Sequence, residues 1–242
     1  MSTLTEQEKQ RYDRQILLWG IEAQEKLKKA KIGIIGTGGL GSPILTYLAV
    51  AGVGKIIAAD KDRVELSNLN RQILHWNKDV GKEKAVSAEE KLKQINPEVE
   101  IISYATEVTE QNIEQIFPEV DVLVDGLDNY PSRFLMNEYA WKKGLPFFHG
   151  AIWGLEGRVT TFIPGKTSCL RCLYSEAPPK AVFPVAGVTP GLIAMLQTTE
   201  VLKYLTGSGE LLLDQLLIYD GELMEFRKIK LTKNPDCPVC NR

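Results

Sequence analysis

Two pairs of cysteines, Cys169/Cys172 and Cys237/Cys240, account for all four thiols of the chain, and each pair has the spacing C-x-x-C. Four thiolates in two knuckles suit tetrahedral Zn²⁺, whose filled d shell imposes no other geometry. With no coordination position left open, such a site is structural and pins the C-terminal tail to the loop after Ile163. A redox C-x-x-C is the rival, although that motif belongs at a helix N-terminus opening a thioredoxin-like unit. The second concentration of chemistry is GTGGLG, where Gly36, Gly38 and Gly41 form G-x-G-x-x-G. An apolar run (32–35) precedes it and an apolar helical pattern follows, so the motif sits on a strand–turn–helix. Its glycines let the backbone approach a phosphate, and the helix N-terminus behind offers unpaired N–H groups and a partial positive charge. Gly39 removes one more Cβ from that approach. Asp60 ends the next apolar run, where a carboxylate can accept hydrogen bonds from ribose hydroxyls. Alone, the loop suits an adenine nucleotide and does not separate NAD, FAD and ATP.

The polar stretch 60–72 gathers Asp60, Asp62, Asn68, Arg71 and Gln72. Bound NAD needs one ribose acid there and no guanidinium, whereas a triphosphate carries more charge and calls for charge-assisted donors. A solvated polar loop is the plainer alternative. Lys84 is either a further cation for the phosphates or an ordinary surface lysine. Further on, DGLDNYPSR supplies Asp125, Asp128, Asn129 and Arg133. Ligands of doubly wound sheets bind beyond the carboxyl ends of the strands, which puts Asp128 on the edge that carries the glycine loop. A carboxylate beside a triphosphate is a natural Mg²⁺ ligand. The pair Asp128-Asn129 also reads as a helix N-cap, a task Asn129 can fill while Asp128 binds metal. His75 and His149 have no partner at ligand spacing and are expected to be structural.

These residues need elements to hold them. Residues 5–30 are helical and charged, with Ile16, Leu17, Trp19 and Ile21 as a docking face. Strands are expected at 32–35, up to Asp60, at 100–105, 120–125 and 145–149, alternating with helices at 80–94, 111–117 and 131–143, the last capped by Gly144. Alternation of this kind gives an α/β, Rossmann-like, doubly wound and mainly parallel sheet. Beyond residue 150 the pattern changes to a strand at 157–163, an apolar helix at 191–205, and a hairpin of 216–220 and 224–231 around Asp220-Gly221. Charges on both faces at Arg227-Lys228 suggest a bulge. Antiparallel strands therefore extend the parallel sheet of one domain spanning 1–242, made of an N-terminal helical segment (1–30), a nucleotide-binding half (31–150) and an antiparallel half with zinc (151–242).

Bulk composition narrows the setting. With 44% hydrophobic and 25% charged residues over 242 positions, the chain suits a globular protein with a substantial core. A net charge of −2 gives no overall electrostatic reason to bind nucleic acid. The polar N-terminus lacks a signal core and no apolar run is long enough for a membrane span, so a cytoplasmic protein is expected. There, paired cysteines favour metal over disulfides.

Taken in order, RYDRQ (11–15), GTGGLG (36–41), DKDRVELSNLNRQ (60–72), GKEKA (81–85), DGLDNYPSR (125–133), CLRC and CPVC resemble the MoeB/ThiF/HesA family, adenylyltransferases related to ubiquitin-activating enzymes. The resemblance covers nearly the whole chain. It implies a homodimer that uses MgATP to adenylate the C-terminal glycine of a small ubiquitin-like sulfur carrier protein ending in Gly-Gly, releasing pyrophosphate. On the matching positions, Gly36, Gly38, Gly39 and Gly41 approach the phosphates and Asp60 the ribose. Asn68, Arg71 and Lys84 hold the triphosphate with Arg14 of the other subunit, Asp128 binds Mg²⁺, and the antiparallel half receives the carrier. Family members often carry a further cysteine in the loop before the late helix. Here Phe183 stands near that place, which leaves no thiol for an enzyme thioester and implies a released or externally captured acyl adenylate. Adenylation of a small-molecule or tRNA-borne carboxylate is the main alternative. An NAD-dependent oxidoreductase leaves Arg71, Lys84, Asp128 and the cysteines unexplained.

Overall fold

The short apolar runs become strands because each is covered on both faces. The computed structural model describes residues 3–177 and 184–241. Its strands are β1 (Lys31–Ile35), β2 (Lys55–Ala59), β3 (Glu100–Tyr104), β4 (Val122–Asp125), β5 (Phe147–Trp153), β6 (Glu156–Phe162), β7 (Gln215–Asp220) and β8 (Glu225–Lys230). Among the described residues they form one sheet in the order β3-β2-β1-β4-β5-β6-β7-β8. The first five are parallel, and β5 to β8 pair antiparallel. Successive side chains point to opposite faces, and the core divides accordingly. Ile56, Ala58, Val122, Val124 and Phe148 enter one apolar cluster, while Ile57, Ala59, Leu123 and Phe147 enter the other.

Helices α1 (Glu6–Arg11), α2 (Asp13–Trp19) and α3 (Ile21–Lys29) lead into β1, and α4 (Gly41–Ala51) links β1 to β2. Helix α5 (Lys84–Ile95) precedes β3, α6 (Ile113–Ile116) precedes β4, and α7 (Tyr130–Lys143) precedes β5. The short α8 (Leu170–Leu173) and the long α9 (Val188–Thr206) lie between β6 and β7. The first cluster packs α4, α5 and α9 on the sheet, and the second packs α6 and α7 on its other face. Among the described residues, no helix is long and apolar enough to cross a membrane.

The N-terminal helical stretch is broken at Gly20, whose φ of +83° suits a residue without Cβ. Of its expected docking face, Trp19 packs on the core, whereas Leu17 remains 72% exposed. Helix α5 starts later than its apolar pattern implies, because a 3₁₀ turn (Asn77–Asp79) and Gly81 at φ +88° occupy the approach. β5 runs on to Trp153, across residues 150 and 151, so the two halves of the chain share a strand. No bulge interrupts β8: residues Gln215 to Asp220 pair one-to-one with Lys230 to Glu225. All six β8 residues are exposed, so nothing forces its charges onto a single face.

The order reverses at β1, with β2 on one side and β4 on the other. There the backbone closes on itself. A Cβ on Gly41 would lie 1.9 Å from the Gly36 carbonyl oxygen, whereas one on Gly191 in α9 would meet nothing within 4 Å. Gly41→Ala is therefore expected to lower stability by about 1–3 kcal/mol, and Gly191→Ala to hold or raise it by up to about 1 kcal/mol. Urea unfolding of the two variants measures the contrast.

Candidate active site

Three loops meet at the β1/β4 switch point: the glycine loop after β1, residues 60–72 after β2, and residues 125–129 after β4. Gly36 takes φ +98° and packs on the β4 loop, where its Cβ would lie 2.3 Å from the Gly126 carbonyl. Helix α4 starts behind the glycine loop with no side-chain cap. Ser42 N–H donates to the Gly38 carbonyl at 2.8 Å and Pro43 has no N–H, so among the described residues Gly41 N–H is the group of this first turn left without a backbone acceptor. Asp60 faces this loop. Its Oδ2 accepts from the Thr37 backbone N–H at 2.8 Å and from the Thr37 hydroxyl at 3.0 Å, and its Oδ1 accepts from Asp62 N–H at 2.9 Å.

The polar loop folds back over the glycines. A Cβ on Gly38 would stand 3.4 Å from Gln72 Nε2, and one on Gly39 3.6 Å from Arg71 Cδ. The Arg71 guanidinium donates to the Ser67 carbonyl and to Asn70 Oδ1, neither of them a carboxylate, so its charge is not neutralised by these partners. Asn68 is buried, and its Oδ1 accepts from Glu65 N–H to close the 3₁₀ turn Leu66–Asn68. Gln72 is buried too, with Oε1 meeting no partner among the described residues. Lys84 opens α5 with its ammonium 3.1 Å from Asp62 Oδ2, and its side chain is 8% exposed against 56% for Asp62. The plain surface-lysine reading of Lys84 thus fails.

Beyond β4, Asn129 caps α7 by accepting from Ser132 N–H at 3.0 Å, which leaves the exposed Asp128 carboxylate outside the cap. Underneath lies a buried ionic cluster. Asp125 Oδ2 accepts from Arg133 Nε at 3.0 Å and His149 Nδ1 at 2.6 Å, and Arg133 also donates to the Leu127 and Gly150 carbonyls. Burial pushes the His149 pKa down, opposed by Asp125. Gln197 of α9 closes the cluster by donating to the Asp125 and Phe148 carbonyls.

Glycines 36, 38, 39 and 41, Asp60, Arg71 and Gln72 therefore gather around one crevice, with Lys84 and Asp62 paired at its rim loop. Arg14 stands apart on α2, its side chain 91% exposed and 3.8 Å from Asp13. Phe183 lies outside the described residues. Sequence reasoning missed Thr37, which ties Asp60 to the glycine loop, and Pro190 of α9, which packs against Gly39. No local signal marks Pro190, because its partner is far away in the chain.

The four cysteines converge away from this crevice. Their Sγ atoms all lie within 4.8 Å of one another, with Cys169–Cys237 at 3.5 Å and Cys172–Cys240 at 3.3 Å. Zn–S bonds of about 2.3 Å in a tetrahedron separate sulfurs by about 3.8 Å, so the donor set and its spacing fit zinc. All four thiols are free of disulfides.

A doubly wound sheet with a glycine loop, an acid just after β2 and cations at its switch point has the architecture of nucleotide-binding α/β proteins. The ThiF family matches residues 12–239, and the chain belongs to that family. The resemblance read from the sequence motifs thus holds. It is 41% identical to the sulfur carrier protein adenylyltransferase of Thermus thermophilus, over 98% of this chain and 92% of that one. The SAMP-activating enzyme E1 of Haloferax volcanii is likewise 41% identical, over 95% of this chain and 88% of its own. Among solved structures, E. coli MccB with ATP superposes with a TM-score of 0.82 at 26% identity, over 95% of this chain and 74% of MccB.

Proposed function

We propose that this chain is an adenylyltransferase that activates the C-terminal glycine of a small ubiquitin-like sulfur carrier protein with ATP. The observation that carries the reading is the convergence of Arg71, Lys84 and the glycine loop on one crevice, in a chain 41% identical over 98% of its length to a sulfur carrier protein adenylyltransferase. A dinucleotide would need neither cation, which disfavours an oxidoreductase.

In this reading the carrier's terminal carboxylate attacks the α-phosphorus of ATP. A new C–O–P linkage forms, the bond to the β-phosphate oxygen breaks, and pyrophosphate leaves with the electron pair. No protein nucleophile is required. The chain's part is alignment and positive charge at the leaving oxygens. Glycines 36, 38, 39 and 41 let the backbone approach the phosphates, and Asp60 and Asp62 face the ribose side. The N–H groups of Gly38, Gly39 and Gly41 are available to donate, while Gly36 N–H is taken by the Ala59 carbonyl. Asn68, Arg71, Gln72 and Lys84 hold the triphosphate, with Arg14 supplied by a second copy in a homodimer. Asp128 would hold Mg²⁺, which supplies further charge to the phosphate oxygens. The antiparallel half would receive the carrier. Zinc on the four cysteines is structural, and their free thiols suit a reducing, cytoplasmic setting.

Pyrophosphate exchange into ATP tests the assignment. Exchange is expected with a carrier ending in Gly-Gly and not without one. Carrier-independent exchange, or none across a panel of carriers, would remove it. Asp128→Ala is expected to lose at least about a hundredfold in exchange while keeping zinc and the native unfolding midpoint; near-normal exchange would cancel its role. With all four thiols assigned to zinc, carrier and ATP are expected to form no thiol-labile conjugate on this chain, and mass spectrometry finding one would overturn that view.

Zinc itself is testable by titration. Burial pushes the Cys169 thiol up to about 12, so without metal it is protonated at neutral pH. Metal uptake must displace that proton, so zinc affinity is expected to rise with pH, and reloading of chelator-stripped chain to release protons. One zinc per chain and a lower unfolding temperature after stripping are the further expected results.

A further inference from the structure

One buried network is used by nothing above. His75, Asp79, Ser87 and Lys91 are all at least 96% buried, yet polar or charged. His75 Nε2 lies 3.1 Å from the Thr37 carbonyl oxygen in the glycine loop, and its Nδ1 lies 3.0 Å from Ser87 Oγ. Ser87 Oγ accepts from Lys91 Nζ at 2.6 Å, and Lys91 Nζ also donates to Asp79 Oδ2 at 2.5 Å. Asp79 Oδ2 takes a further hydrogen bond from Trp76 N–H.

The chemistry of the end groups fixes every proton. A carbonyl can only accept, so Nε2 carries the imidazole hydrogen and Nδ1 keeps its lone pair. Ser87 then donates to Nδ1 while accepting from Lys91, whose charge is met by Asp79. Burial pushes the His75 pKa below its ordinary value; Lys91 and Lys84 also lower it, while the Thr37 carbonyl and Asp60 oppose them. The ring is neutral at neutral pH.

What the network holds is one peptide unit. The Thr37 carbonyl accepts from His75 on one side and from Ser42 Oγ, at 2.8 Å, on the other. In a planar trans peptide the C=O and the following N–H point in opposite directions. Anchoring the carbonyl inward therefore turns the Gly38 N–H outward, into the crevice. Among the described residues, neither Gly38 N–H nor Gly39 N–H meets a backbone acceptor. The same network reaches the cation site. Lys84, Ser87 and Lys91 stand three and four residues apart on α5, along one buried face.

We propose that His75 is a positioning residue for nucleotide binding: it anchors the glycine-loop peptide from behind so that Gly38 N–H is aimed at the phosphates, and through Ser87 it ties that loop to the helix bearing Lys84. The proposal rests on the ATP reading above.

Calorimetric titration with ATP and Mg²⁺ tests it, alongside ATP dependence of pyrophosphate exchange and nucleotide-free unfolding. His75→Leu, which removes the donor, is expected to weaken ATP binding about tenfold, raising KM for ATP more than it lowers kcat. His75→Gln, whose amide nitrogen can reach the Thr37 carbonyl, is expected to recover most of that loss at a similar unfolding midpoint. Equal ATP affinity in His75→Leu and the unaltered chain, or Gln no better than Leu, overturns the proposal. Should His75→Leu not fold, Ser87→Ala carries the test with an expected loss of about threefold, and an unchanged affinity there overturns it. Absence of ATP binding by the unaltered chain overturns the function reading as well, whereas normal binding insensitive to these substitutions overturns the positioning role alone.

Discussion

Two backbones touch where β1 and β4 end, and the site depends on that contact. A Cβ on Gly36 would sit 2.3 Å from the Gly126 carbonyl, and one on Gly126 would sit 2.5 Å from the Gly36 carbonyl. Neither strand end can carry a side chain there. Because β2 lies on one side of β1 and β4 on the other, the chain leaves β1 and β4 toward helices packed against opposite faces of the sheet, and a crevice opens between them. The glycine loop, the 60–72 loop and the 125–129 loop all leave from this point. Their charged groups converge because the strands that carry them are adjacent, although the residues span almost a hundred positions of sequence.

Close approach of this kind needs support from below. Asp125 is fully buried as the last residue of β4, and an unpaired carboxylate there would be untenable. Arg133 and His149 meet its Oδ2, and Leu127 N–H meets its Oδ1. The carboxylate thus fixes the turn that presents Asp128, and Arg133 binds the same turn to β5 through the Gly150 carbonyl. Gln197 joins from α9, against a glycine at position 150 whose Cβ would lie 2.3 Å from its Oε1. The ionic cluster and the glycine crossing are two layers of one construction.

Much of this was legible in the sequence because it is written locally. The strand–GTGGLG–helix unit, the Gly144 cap and the hairpin about Asp220-Gly221 all follow from short-range stereochemistry, and Gly144 does adopt the left-handed conformation at φ +70°. The paired C-x-x-C spacing likewise needs only four residues at a time, and the thiols converge. Contacts set by tertiary packing were illegible. Pro190 against Gly39, Gln197 against Gly150 and His75 behind Thr37 join segments with no common periodicity. The bulge expected in β8 failed for a related reason. Alternation reports a buried face, and an edge strand exposed on both faces has none to report.

On the ATP reading, the pairing of Lys84 with Asp62 bears on why a triphosphate suits the crevice. Lys84 is almost fully buried, so its ammonium has lost most of its water and relies on a partner. That partner is more than half exposed, so Asp62 keeps most of its hydration whether or not the lysine is present. The pair is therefore asymmetric: little is lost by Asp62 on separation and much by Lys84. A phosphate chain entering the crevice brings several negative oxygens to a cation whose desolvation the fold has already met. Arg71 differs, being half-buried and bonded to a carbonyl and an amide rather than to a carboxylate, so it adds a cation that these partners do not neutralise. A diphosphate bridging two nucleosides carries only two negative charges, which Arg71 and Lys84 alone would match. On the ATP reading, the greater charge of a triphosphate is shared between these cations and the Mg²⁺ assigned to Asp128, so selectivity arises from the number of positive charges the fold gathers at one crevice.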